Sequence, residues 1–311
     1  MEGTAQIGGR GWLRAAGLVV ATGSLAVVNP LVLVAIPFVL LVVFTPPRGH
    51  LSVILAALAS VFVAAGDPES GLWYAERGWA LLLGGGFLAL SLRWPEGEFL
   101  AKGLGAVFGA FVASGLLFGV RPGDWAVVDW AVRARLEEAI SSFLQAVRVN
   151  LGPDALPVGF ESRALETMAA QSLIFPALLG LGSLSALGLA WWLFRAVRRN
   201  QGVGLGPLRE FRFNDQLIWL MILGVLASLV SSGALERIGI NAVVFMGALY
   251  ALRGVGVLLT ITEGFPLLGG ALLVVGFLIA WPFTIPGAVI IGLGDTWFDL
   301  RKSRASPRPE A

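Results

Sequence analysis

The sequence predicts an all-α protein, a polytopic bundle of eight to ten transmembrane helices with an amphipathic interfacial helix near residues 124–150. Three observations predict it. Of the 311 residues 57% are hydrophobic and 14% charged, whereas about a quarter of an ordinary soluble chain is charged. Apolar segments recur from residue 12 to residue 298, with no polar stretch long enough to fold by itself. The breaks between them fall at proline, glycine and charge clusters, where apolar helices of ~20 residues are expected to end. One integral membrane domain over 1–302, with a short tail at 303–311, is the economical organisation.

The N-terminal part, 1–120, holds five segments, at about 12–28, 31–45, 51–66, 72–92 and 99–120. Arg10 and Arg14 precede the first, and Ser24-Leu25-Ala26 resembles a cleavage site, as in a signal peptide. Apolar sequence resumes directly after Asn29-Pro30, so an uncleaved first span is expected. In the fifth segment Gly103, Gly105, Gly109, Ala113 and Gly115 provide small-residue steps for close helix packing. Gly84, Gly85 and Gly86 either loosen the fourth or mark a break in it.

Residues 121–169 form a long loop with its own pattern. Val128, Val132, Leu136, Ile140, Phe143 and Val147 recur at helical spacing and make one apolar stripe, with Arg133, Arg135, Glu137 and Glu138 on other faces. This is an amphipathic helix, lying either on the bilayer surface or on the protein's own loops. Five further segments follow, at about 170–195, 215–233, 238–262, 265–282 and 285–300. The second, third and last segments of the chain are short for a span, which leaves the count at eight to ten.

Basic residues orient the bundle. The densest cluster, Arg195, Arg198, Arg199, Arg209 and Arg212, is expected to face the cytoplasm, and threading ten spans from it places both termini there. The tail, with Arg301, Lys302, Arg304 and Arg308, agrees. The expected location is the bacterial cytoplasmic membrane, with residues 121–169 on the outer side.

Several chemistries are excluded. Cysteine is absent and His50 is the one histidine, so thiolate sites and histidine metal clusters are not available. Gly202 to Gly206, GVGLG, lacks the Lys-Ser/Thr of a phosphate loop. No metal-ligand or hydrolase motif occurs, so no metal, no cofactor and no enzymatic activity are expected. The net charge of +2 gives no argument for nucleic acid.

The polar content of the C-terminal helices remains. Arg253 stands in the apolar run ALYALRGVGVLL, about nine residues or ~14 Å from the end of its helix. A guanidinium at that depth costs between ~3 and ~17 kcal/mol and calls for a partner. Asp295, about one turn inside the same membrane face, is the first choice, with Asp215 nearer the surface. Asn214 and Asp215 also suit the capping of a helix start. Asn241 and Tyr250 share the helix of Arg253, and Asp299 follows Asp295 by one turn. Gly254, Gly256, Gly292 and Gly294 favour close approach of the two helices. The pair is either a lock that fixes helix register or a solute site.

The order FRFNDQLIW, INAVVFMGALYALRGVGV and GLGDTWFDLR resembles the YybS-like family of predicted bacterial membrane proteins, a domain of unknown function, most specifically over 208–302. The resemblance implies that Asp215, Trp219, Asn241, Tyr250, Arg253, Gly254, Gly294, Asp295, Asp299 and Arg301 are its marked positions. It further implies a distant similarity in organisation to the substrate-binding subunits of energy-coupling-factor vitamin transporters.

Two functions are therefore expected to compete. One is binding or transport of a small anionic solute, with Asn241, Tyr250, Arg253 and Asp295 lining the site. The other is a non-catalytic scaffold that recruits a cytoplasmic protein or anionic lipid through 195–212 and 301–311.

Overall fold

The computed structural model describes residues 10–25, 28–46, 49–65, 68, 72–152, 156–157, 159–198, 204–261 and 281–301. Among these residues every regular element is helical. The chain divides into two units, 1–204 and 205–311.

The first unit holds α1 (Arg10–Leu25), α2 (Pro30–Phe44), α3 (His50–Ala64), α4 (Trp73–Arg93), α5 (Phe99–Val120), α6 (Pro122–Leu151), α7 (Phe160–Leu173) and α8 (Phe175–Arg198). The start of α2 shows why the apolar segments begin where they do. Asn29 accepts the Leu31 N–H at 3.0 Å and Pro30 occupies the first helical position, where no N–H is needed. Helix α8 is the centre of the unit and packs on α1, α2 and α5. Two thirds of its apolar window, 67%, is buried within the protein, against 22% for α5.

Small side chains make this packing close. A Cβ on Gly103 of α5 would lie 2.8 Å from a methyl of Leu184, and one on Gly84 of α4 3.1 Å from the Pro37 Cα. Of the triple glycine of α4, Gly84 thus meets α2, Gly86 faces Ala106 of α5 and Gly85 faces open space, and the helix runs through all three unbroken. Buried hydroxyls add polar ties between helices. Thr22 of α1 donates to Ser185 at 3.2 Å and the Trp79 indole donates to Ser183 at 2.8 Å.

The predicted amphipathic helix is α6, packed on α5 and α7. Its stripe is turned toward the protein at Val132, which is 1% exposed, and Val128, Leu136, Ile140 and Val147 are half-buried. Phe143 departs from the expected stripe and is exposed, with Leu144 half-buried in its place.

The second unit holds two 3-10 turns, Leu208–Glu210 and Asp215–Leu217, then α9 (Ile218–Val230), α10 (Ala234–Ile261) and α11 (Trp281–Phe298). Gly233, at φ 69°, turns the chain from α9 into α10, a left-handed conformation that glycine adopts without strain. Helices α9 and α10 form a hairpin that closes on Gly224 and Gly239.

Among the described residues three helices, α5, α8 and α10, are long and apolar enough to cross a membrane. Helices α1, α2, α3 and α9 are apolar but shorter, and the 15 residues of α2 span only about 22 Å against a hydrocarbon core of about 30 Å. The expected segment at 265–282 falls almost wholly on 262–280, outside the described residues.

Candidate functional site

Helix α10 buries one face, Met246, Leu249, Tyr250, Arg253 and Val257, at the three- and four-residue spacing of a helix side. Helix α11 meets it with Ala288, Gly292 and Asp295. The two backbones touch. A Cβ on Gly254 would stand 1.9 Å from the Ala288 carbonyl oxygen, and one on Gly292 2.0 Å from that of Tyr250. No side chain fits at either place, and this contact brings Arg253 against Asp295.

The Arg253 fork is divided between two carboxylates. Its Nε donates to Asp295 Oδ2 at 2.9 Å and its Nη2 to the Asp295 carbonyl at 3.2 Å, while Nη1 donates to Asp215 Oδ1 at 2.6 Å. A planar guanidinium supplies donors in these three directions at once, which a lysine ammonium on a flexible stem does not. The Arg253 guanidinium also lies 5.6 Å from the centre of the Phe213 ring, which meets Tyr250 edge-on at 5.1 Å.

Arg301 completes the arrangement from beyond the end of α11. It donates to the carbonyls of Arg209 at 2.8 Å, Phe211 at 3.1 Å and Arg253 at 3.2 Å, and its Nε lies 3.6 Å from Asp295 Oδ2. Burial pushes the Arg301 guanidinium below its ordinary pKa, and the Asp295 charge opposes that shift. Charges therefore alternate in the order Arg301, Asp295, Arg253, Asp215. Just outside, Asp299, at φ 42°, pairs with Arg212.

Exposure separates the four. Side-chain exposure is 0% for Asp295, 3% for Arg253 and 10% for Arg301, but 59% for Asp215. Among the described residues, the buried Asp295 Oδ1 has no hydrogen-bond partner. An uncompensated carboxylate oxygen in such a place is costly, and the flanking guanidinium groups supply the opposite charge.

The structure thus brings Asp215, Tyr250, Arg253, Gly254, Asp295 and Arg301 together. It does not bring Asn241 to them. That residue lies twelve positions earlier on α10, about 18 Å along the axis, and its amide donates to the Arg237 carbonyl at 2.8 Å. Trp219 is 64% exposed on α9. Close approach occurs at Gly292 rather than Gly294, whose nearest neighbour is a Leu300 methyl at 4.0 Å.

Sequence reasoning missed a second buried charge group, at the start of α4. Glu76 accepts the Asn29 N–H at 3.1 Å and pairs with Arg135 of α6. Arg77 donates to the carbonyls of Val63 at 2.7 Å, Ala65 at 2.6 Å and Trp73 at 3.1 Å, and lies over the Trp73 ring. It closes the C-terminal end of α3, where helix carbonyls lack partners. The adjacent Glu-Arg in WYAERGWALLL was the available signal.

The basic stretch is largely engaged within the chain. Arg198 donates to the Thr45 carbonyl at 2.6 Å, Arg212 pairs with Asp299, and Arg209 lies 3.7 Å from Glu210. Arg199 and residues 302–311 are outside the described residues.

Among known families, the one described as "Predicted membrane protein (DUF2232)" matches residues 16–296. No curated protein matches the chain, and no solved structure does.

Proposed function

The chain belongs to the DUF2232 family of predicted membrane proteins, and from that premise we propose that it binds a small anionic solute at Arg253 as a transport-type protein of the bacterial cytoplasmic membrane. Eight to ten spans with both termini cytoplasmic are part of the same proposal. So are the YybS-like character of the C-terminal helices and their likeness to vitamin-transporter substrate subunits.

The observation that carries the reading is the unequal exposure of the two carboxylates on Arg253. Asp295, fully buried, fixes the guanidinium on one side, whereas Asp215, at 59% exposure, covers Nη1 from the surface. An exposed carboxylate on a buried guanidinium is the group that an anionic solute would replace. Asp215 regains water when it leaves, and Arg253 keeps its orientation through Asp295. A site held ready in this way avoids the ordering cost that weakens binding.

The scaffold reading draws on 195–212 and 301–311. It has less support, because Arg198 and Arg212 already hold contacts within the chain.

The test is the thermal unfolding of the purified protein in detergent with small carboxylates, phosphates and sulfonates at constant ionic strength. Saturable stabilisation by at least one anion, lost in Arg253→Lys, is the expected result. No saturable effect from any of them would end the solute reading and leave the scaffold.

A further inference from the structure

Lys102 lies in the first turn of α5, in the first unit, and is 6% exposed. It has one hydrogen bond, to the Pro95 carbonyl at 3.1 Å, and no carboxylate among the described residues pairs with it. Glu96 and Glu98, although close in sequence, are exposed. Its ammonium faces the Trp191 ring of α8 at 5.9 Å. An ammonium carries three donors, and a buried one that lacks an anion keeps a desolvation cost of several kcal/mol.

The Trp191 indole N–H is a donor only, and the Ser91 hydroxyl can donate or accept. Among the described residues, the Trp191 indole Nε1 and the Ser91 hydroxyl are buried without a hydrogen-bond partner. Phe87 of α4 meets the Trp191 ring at 5.7 Å, and Ser91 follows Phe87 by one turn on the same face. Arg195 follows Trp191 by one turn on α8, which adds a second cation. The loop 94–98 roofs the group, with Pro95 over Lys102 and Gly97 against its Cε. Trp94, at 54% exposure, and Leu92, at 55%, flank it with apolar surface.

We propose that Lys102, Trp191 and Ser91 form a binding site for a phosphate group, admitted by movement of the loop 94–98. Lys102, Trp191 and Ser91, from three adjoining helices, offer donors that suit a tetrahedral oxyanion, which has an acceptor for each. A phospholipid headgroup and a soluble phosphate present the same chemistry. The inference concerns the first unit and does not rest on the Arg253 reading.

The experiment uses the full-length protein in detergent. Unfolding is followed in a maltoside detergent against inorganic phosphate at constant ionic strength, and separately against added short-chain phosphatidylglycerol, with a phosphate-free diacylglycerol as the control. Saturable stabilisation by phosphatidylglycerol alone assigns a lipid headgroup, and by inorganic phosphate a soluble ligand. The apparent Kd should rise at least about tenfold in Lys102→Gln and recover in Lys102→Arg. Trp191→Phe, which keeps the ring and removes the N–H, should raise it about threefold or more, and it serves alone if Lys102→Gln does not fold. No saturable effect from either source, or an unchanged Kd in these variants, would overturn the proposal.

Discussion

Arg253 and Asp295 meet at 2.9 Å with side chains 3% and 0% exposed, across two helix backbones that touch at Gly254 and Gly292. The pair joins the two helices at the level where they touch. Asp215, bonded to the opposite edge of the same guanidinium, is 59% exposed, and the proposed solute would take its place.

Breaking the pair from one side should be severe. Arg253→Met leaves Asp295 buried beside Arg301 alone, and removing one partner of a buried pair costs about 3–5 kcal/mol. The double variant Arg253→Met/Asp295→Leu should be less destabilised than Arg253→Met. Denaturant unfolding in detergent measures both.

The glycines separate contact from mere neighbourhood. Gly254→Ala and Gly292→Ala should each destabilise by about 1–3 kcal/mol or more, because the added methyl meets a carbonyl at 1.9 and 2.0 Å. Gly294→Ala should be neutral or stabilising by up to about 1 kcal/mol, since it gains helix propensity in open space. The same unfolding assay ranks the three.

In the first unit, Arg77→Lys should lose at least about 2 kcal/mol, because one ammonium cannot replace donors to three carbonyls. Equal stability of Arg77→Lys and the native protein would remove Arg77 from its role in closing α3.

The chain contains no cysteine, so single cysteines report sidedness against a clean background. With 121–169 outside, Ser142→Cys on α6 should react with a membrane-impermeant maleimide on intact cells. Glu210→Cys should react only after permeabilisation.

Much of the fold was legible because apolar runs and their breaks mark helix ends directly. The segment at 99–120 coincides with α5, and Asp295 was reachable from depth alone, since two charges at one level in an apolar bundle seek each other. Faces were harder to read. Whether Gly292 or Gly294 touches α10 depends on a rotation that hydropathy does not fix. Asn214 takes the cap as expected, accepting the Gln216 N–H at 3.0 Å, whereas Asp215, which the helix start alone could have explained, also reaches Arg253. Nothing in the sequence around Lys102 marks it as buried, and the packing of α4, α5 and α8 buries it.

The most direct measurement is the affinity of Asp215→Ala for the anion that stabilises the native protein. Asn214 keeps the helix start, so the variant should fold, and removal of the covering carboxylate should tighten binding about tenfold, the equivalent of one charge-assisted hydrogen bond. Asn241→Ala, about 18 Å away on α10, should leave the affinity unchanged. Equal or weaker binding by Asp215→Ala would contradict displacement of Asp215 from Arg253.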